Sequence, residues 1–269
     1  MLILPQPMTG GRGGPTLMQA IQHAGLTANL QCALDAGDAA SYSGGGKWLD
    51  TSGNGYDFNR GDGATAGTFP LFNGNYGSRT SFWSFNDLQY FTYDTTNEAW
   101  MENYHKNNAA LTALFGVRIA AGNSGLFGDE ALQPTNVGLG LYVDLSRNIE
   151  VNVGNGGAGA LLVDSDNSLV AQGDHILGLS LNEAAGAGGS FFFLDGEYAP
   201  SGGSPTFDGT YTSPSAAGAT FTFQIAAMGN AQVTAERNSR MYFAAFWSSA
   251  LTINNIVTLT KLLGPRLVL

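Results

Sequence analysis

A chain of 269 residues with 43% hydrophobic side chains can bury a substantial core, and its 38 glycines follow no three-residue period, which excludes collagen and predicts many tight turns. The formal net charge of −10, from 11 Lys+Arg against 21 Asp+Glu, excludes the basic footprint of a nucleic-acid binder and disfavours an acidic membrane surface. The single cysteine, Cys32, cannot close an intrachain disulfide, a pattern that fits folding in a reducing cytosol.

The opening MLILPQPMTGGRGG carries Pro5, Pro7 and four glycines, which predicts an extended arm. Its apolar run stops at Pro5 with no basic stretch before it, so it does not read as a signal peptide. No apolar run is long enough to predict a membrane span. PTLMQAIQHAG follows, with Pro15 near a helix start and Gly25 at its stop. Leu17, Met18 and Ile21 share one face of this short helix. Arm and helix together predict an attachment element at 1–27, contacting a partner through Leu2, Ile3, Leu4, Pro5, Leu17, Met18 and Ile21. A terminus packed on its own domain is an equal alternative.

After the apolar segment TANLQCALDA, the stretch from Gly37 to Gly67 is almost all turn chemistry around Trp48 and Leu49. TSFWSFNDLQYFTYD predicts a strand, a turn near Asn86-Asp87 and a second strand. In TTNEAWMENYHKNN, Thr95 and Glu98 match a capping box, and Trp100 and Tyr104 form an i, i+4 aromatic face, predicting a short helix. Strand candidates follow at regular spacing: ALTALFGVRIAA, GLGLYVDL, NIEVNVG, ALLVDS, HILGLSL, SFFFLDGEY, TFTFQIAA and MYFAAFW. LTINNIVTLTKLLGP closes the chain as a helix with Thr252 as N-cap and Gly264-Pro265 as its end.

Four segments in order carry a family resemblance. Trp48-Leu49-Asp50-Thr51-Ser52-Gly53-Asn54-Gly55 matches a W-x-D-x-SGNG element, and Phe72-Asn73-Gly74 an F-x-G element before a strand. Phe193-Leu194-Asp195-Gly196-Glu197 matches a late hairpin, and the run from Arg240 to Thr252 matches a closing strand and helix start. Together they resemble a laminin G-like, concanavalin A-type domain of the kind found in bacteriophage virion proteins. The resemblance implies an all-β fold: an antiparallel β-sandwich (jelly roll, concanavalin A-like) over 28–269, with an N-terminal arm and short helices. It implies that SGNG is a turn between the first strands, with Asp50 and Ser52 bonding the turn backbone. Asn254-Asn255 departs from the acidic residue common at this place, a change expected to touch helix capping.

Glycosidases of this architecture carry paired carboxylates on one strand, as glycoside hydrolysis requires. No such string occurs, and Asp195-Gly196-Glu197 reads as a turn. His23, His105 and His175 have no spacing partners for a metal. Asp164 and Asp166 resemble half of a calcium loop without its Gly and Glu, so they are weak metal candidates better read as a turn. Arg60-Gly61-Asp62 is best explained by chance, Gly44 to Trp48 is no phosphate loop, and Ser124 is a loop residue. Among aromatics, Trp247 and most of the Phe82–Phe91 set are expected in the core. Tyr56 and Tyr76, in loops, are the ligand-binding candidates.

The expected function is that of a non-enzymatic virion structural protein of the tail, baseplate or fibre, needing no cofactor. Its expected partners are other virion proteins, copies of itself in a homo-oligomer (a trimer by particle symmetry) and a host surface glycan. Its expected location is the virion, assembled in the host cytoplasm and released by lysis. Capsid decoration and a carbohydrate-binding, lectin-like module are the alternatives.

Overall fold

A computed structural model describes residues 13–93, 96–130, 135–166, 169 and 173–267. The first strands are β1 (Leu30–Asp35), β2 (Lys47–Trp48), β3 (Phe58–Arg60), β4 (Leu71–Asn73), β5 (Phe82–Ser84) and β6 (Phe91–Thr92). The middle of the chain supplies β7 (Ala110–Arg118), β8 (Ser124–Gly128), β9 (Val137–Val143), β10 (Ile149–Asn155), β11 (Gly159–Asp164) and β12 (Asp174–Asn182). The last are β13 (Phe191–Leu194), β14 (Glu197–Ala199), β15 (Gln224–Ile225), β16 (Ala227–Met228), β17 (Val233–Thr234) and β18 (Arg240–Trp247). Helices are α1 (Leu17–His23), α2 (Ala99–Asn103) and α3 (Ile253–Leu263). No described helix is long and apolar enough to cross a membrane.

One sheet runs β14-β13-β12-β7-β18-β5-β4, with β1 beside the far half of β18, and the other runs β11-β10-β9-β8-β15-β6-β3-β2. The ladders between these strands are antiparallel. The expected antiparallel β-sandwich is therefore the observed fold. The connection through Asn86-Asp87 turns as predicted, with Asp87 at φ +58°, but it crosses between layers: β5 joins the first sheet and β6 the second.

The main core lies between the sheets, where Leu111, Ala113, Phe115, Leu177, Leu179 and Phe246 meet Phe58, Phe91, Phe127, Leu141, Val151 and Val153. The first sheet is covered on its other face too, by α1 and α3 over Leu114, Ile176, Phe243, Ala245 and Trp247. Burial on both faces is why β7 and β18 read as nearly continuous apolar runs rather than alternating ones. Gly116 is a close-approach position there, since a Cβ would sit 2.4 Å from the Phe243 ring. At the β13–β14 hairpin, Asp195 (φ +53°) and Gly196 (φ +88°) supply the left-handed pair of a two-residue turn. Asp195 also accepts the Ile176 N–H at 2.8 Å, and its Oδ2 lies 2.8 Å from His175 Nδ1. Asp195 is thus turn chemistry, as expected.

Both longer helices are capped reciprocally, Thr16 with Gln19 and Thr252 with Asn255. The Asn254-Asn255 pair thus touches helix capping, as expected, with Asn255 supplying the reciprocal bond. Helix α1 does not project as an attachment surface. Leu17 and Ile21 are fully buried in the outer core and Met18 packs on it, which corrects their expected role. The physical reason is that an amphipathic helix buries its apolar face wherever a matching surface lies within reach, and α3 with the sheet provides one. Leu2, Ile3, Leu4 and Pro5 lie outside the described residues.

Burial also sets a pH dependence. Asp129 is 1% exposed, its Oδ1 accepts the Leu139 N–H at 2.9 Å, and its Oδ2 has no partner among the described residues. Burial pushes this carboxyl well above the carboxylate range, and Glu102 and Glu130 push in the same direction. A folded-state pKa above the unfolded one means the folded chain holds the extra proton. The contribution is full below the unfolded value of about 3.9 and is lost as pH rises through the folded value. Asp129→Asn keeps the acceptor for Leu139 and cannot ionise. Its stability relative to wild type should therefore rise from pH 4 to pH 7 in urea titrations, and parallel curves would contradict this account.

Candidate functional site

The W-x-D-x-SGNG element is a clamp rather than a free loop. Asp50 accepts hydrogen bonds from the backbone N–H of Ala33 (2.9 Å), Ser52 (2.8 Å), Gly55 (3.1 Å) and Tyr56 (3.2 Å), and from Ser52 Oγ (2.7 Å). Ser52 Oγ is also 3.0 Å from the Gln31 carbonyl, and Asn54 Nδ2 donates to the carbonyls of Leu30 and Gln31 at 3.0 and 2.8 Å. The turn is stapled across the start of β1, where backbone acceptors would otherwise be unpaired. Tyr56 leaves this clamp with its main chain fixed at both ends, since the Cys32 thiol donates to its carbonyl at 3.6 Å.

Tyr56 forms one wall of a cleft of about 640 Å³. The cleft opens at the end of the first sheet where β1 and β7 begin and β18 finishes. Gln31 and Ser248 lie on its β-strand side, joined by a 2.8 Å hydrogen bond from Gln31 Nε2 to Ser248 Oγ. The segment from Glu98 to Ala110, comprising α2, the turns after it and the first residue of β7, lines the rest. Behind Tyr56 stands Trp100, with ring centroids 5.6 Å apart, and Trp100 in turn contacts Tyr104, Phe223 and Phe246 of the core. The aromatic wall is thus continuous with the hydrophobic interior and rigid for that reason.

The expected aromatic face of α2 is present, since Trp100 and Tyr104 are both buried. Its cap differs from expectation. Glu98 is the N-cap and makes no capping bond; it instead accepts the Tyr93 hydroxyl at 2.9 Å. Thr95 lies outside the described residues. The turns beyond α2 are tied down by the chain just past the end of β12, which pairs there with the start of β7. Glu183 is buried, and its carboxylate accepts the N–H of Asn108 at 2.6 Å and of Tyr211 at 3.3 Å. Tyr211 donates its hydroxyl to the Tyr104 carbonyl at 2.7 Å. Asn108 sits in the left-handed region (φ +62°), a conformation asparagine tolerates well.

The polar rim is mostly uncharged. Asn103, Asn107 and Asn108 are exposed, and no described residue takes their side-chain amides. Glu98 and Lys106 are the charged residues among those lining the cleft, and Lys106 Nζ is 4.0 Å from Glu102. Burial raises the Tyr56 phenol above its usual range, with Glu98 and Asp50 adding to the effect, so it stays a neutral hydroxyl at physiological pH. Burial likewise pushes the Cys32 thiol up, with Asp50 acting in the same direction, which makes it a poor nucleophile.

Of the predicted ligand residues, the structure brings Tyr56 to the cleft and leaves Tyr76 apart. Tyr76 is 57% exposed and stacks on Phe72 at 5.2 Å, beside Tyr42, without lining the cleft. Asp164 is exposed at the end of β11, and the Asp166 carboxylate accepts the N–H groups of Gly202 and Gly203 at 3.0 and 2.6 Å. No three described His, Cys, Asp or Glu residues converge as metal ligands. Arg60 is a structural residue, donating to the carbonyls of Gly45 (3.2 Å) and Pro70 (2.7 Å) and lying over the Trp83 ring. Asp62 folds back on its own loop, and bonds from Thr65 lower its pKa to about 2. Sequence reasoning did not find Glu98 as a cleft residue, nor the three asparagines. The run of amides in ENYHKNN was the available signal.

No protein-family model matches the chain, and no curated protein matches it. Solved structures do share its fold. Domain 4 of AbnA, a GH43 extracellular arabinanase from Geobacillus stearothermophilus, in complex with arabinotriose, superposes with a TM-score of 0.56 at 13% identity, covering 86% of this chain and 98% of that one. The botulinum neurotoxin serotype D binding domain gives 0.56 at 14% identity, over 90% of this chain and 52% of that one. Trypanosoma rangeli sialidase in complex with sialic acid gives 0.54 at 15% identity, over 87% of this chain and 33% of that one. The chain therefore spans about a third of the sialidase, half of the toxin chain and nearly all of the arabinanase domain. At these identities the likeness establishes the fold alone, an antiparallel β-sandwich of jelly-roll type.

Proposed function

We propose that this domain is a non-catalytic carbohydrate-binding module whose ligand occupies the cleft between the Asp50–Tyr56 turn and the Glu98–Ala110 segment. The observation that carries the reading is a half-buried tyrosine, backed by core aromatics, lining one cleft with amide side chains that have no partner among the described residues. A sugar ring offers an apolar C–H face for the tyrosine and hydroxyl groups for the amides. Hydrolysis needs two carboxylates across the bond, and Glu98 is the one carboxylate among the described residues lining the cleft. A neighbour solved with arabinotriose and others that are toxin binding domains support the reading at the level of fold.

A glycan array probed with wild-type protein and with Tyr56→Ala tests it. Binding should appear and weaken by about tenfold or more in the variant, which corresponds to roughly 1.4 kcal/mol. Binding that survives Tyr56→Ala unchanged would remove this cleft as the site. The particle setting expected from the resemblance is a separate proposal, concerning where such a module is displayed. Immunogold labelling of particles at tail or head would keep that proposal, and unlabelled particles with an accessible epitope would end it.

A further inference from the structure

We infer that the cleft selects uncharged oligosaccharides and rejects glycans that carry carboxylate or sulfate groups. This rests on the carbohydrate reading above and adds the chemical class of the ligand. Three observations carry it.

The first is the charge balance at the cleft. Lys106 is its one lining cation among the described residues, and that ammonium already faces Glu102 at 4.0 Å, while Glu98 lines the wall unneutralised by any described cation. Recognition of an anionic sugar calls for a free guanidinium or ammonium, arginine above all because its fork matches a carboxylate. No described arginine lines the cleft.

The second is the type of hydrogen-bonding group offered. Asn103, Asn107 and Asn108 each present a donor and an acceptor, which matches the donor-acceptor character of sugar hydroxyls. Glu98 receives the Tyr93 hydroxyl on Oε1, so its Oε2 remains an acceptor for a ligand hydroxyl and a source of repulsion for a ligand anion. The third is the long-range field. A net charge of −10 lowers the local concentration of any anionic ligand, and a cleft concentrates that effect. The cleft volume of about 640 Å³ suits a short oligosaccharide rather than a single small ion.

The test is an array of neutral arabino-, xylo-, gluco- and galacto-oligosaccharides beside sialylated, uronic-acid and sulfated glycans, followed by calorimetry on the best binder. Neutral glycans should bind and charged ones should not. Asn103→Ala/Asn107→Ala, both at exposed positions, should reduce neutral binding at least about tenfold with an unchanged unfolding midpoint, which keeps the result interpretable if Tyr56→Ala proves unstable. Glu98→Gln should raise the signal for carboxylated analogues of the best neutral ligand. Tyr56-dependent binding to sialylated or uronic-acid glycans would overturn the selectivity and leave the carbohydrate reading standing. Neutral binding that ignores both the asparagine pair and Tyr56 would overturn the assignment of this cleft. Folded protein that binds no class on the array would overturn the carbohydrate reading, and this inference with it.

Discussion

Arg266→Ala is expected to cost about 3–5 kcal/mol of folding stability, the range for breaking one half of a buried ion pair. Arg266 and Asp35 have fully buried side chains and meet in a two-point contact, Nη1 to Oδ2 at 2.8 Å and Nη2 to Oδ1 at 2.5 Å. The pair joins the segment after α3 to the end of β1. Asp35 also accepts the N–H of Leu17 at 2.7 Å, the first residue of α1, and that of Gly37 at 2.8 Å. The guanidinium lies over the Phe243 ring at 5.1 Å and donates from Nε to the Arg79 carbonyl at 3.2 Å. Removing it leaves a carboxylate in the interior with two backbone donors and no counter-charge. The check is a urea titration in which the midpoint falls while the slope stays that of wild type. A loss below about 1 kcal/mol would mean that water reaches Asp35 and that the outer core is looser than described.

Asp50→Ala is expected to cost about 2–4 kcal/mol and to abolish ligand binding, because one side chain organises the whole turn. It accepts four backbone N–H groups and one hydroxyl, spread over Ala33 to Tyr56. Alanine leaves these donors to water where they can reach it and orphaned where they cannot. The turn then loses its hold on β1, and Tyr56 loses its fixed main chain. Asp50→Asn separates the two effects. It keeps one acceptor oxygen and the side-chain volume, so it should fold better than alanine yet still bind glycan more weakly than wild type. Equal ligand affinity in wild type and Asp50→Ala would show that Tyr56 is positioned by its ring contacts and not by the turn.

Local chemistry was legible in the residues. The Asp50–Ser52 bond that starts the SGNG turn, the left-handed angles of Asp195-Gly196 and the Thr252–Asn255 cap each act within a few residues, so they follow from side-chain reach and permitted backbone angles. The aromatic pair of α2 was likewise readable from its spacing. The sandwich itself followed from short strands between turns, reinforced by the family resemblance. The fate of α1 did not follow. Its apolar face predicts burial but not against what, and the order of the strands decided that α3 and the outer face of the first sheet would cover it.

By itself the sequence determined the class of fold, several of its turns, the Thr252 cap of α3 and Tyr56 as an aromatic held in a polar loop. Only the tertiary structure decided that Tyr56 and not Tyr76 lines this cleft, and that Gln31, Glu98, the asparagines in and after α2 and Ser248 share it. These residues lie on segments far apart in the chain, and no periodicity encodes their meeting. They converge because antiparallel pairing of β1 and β7 with β18 brings two strand beginnings and one strand end to the same edge, and because Glu183 and Tyr211 hold the segment after α2 beside it.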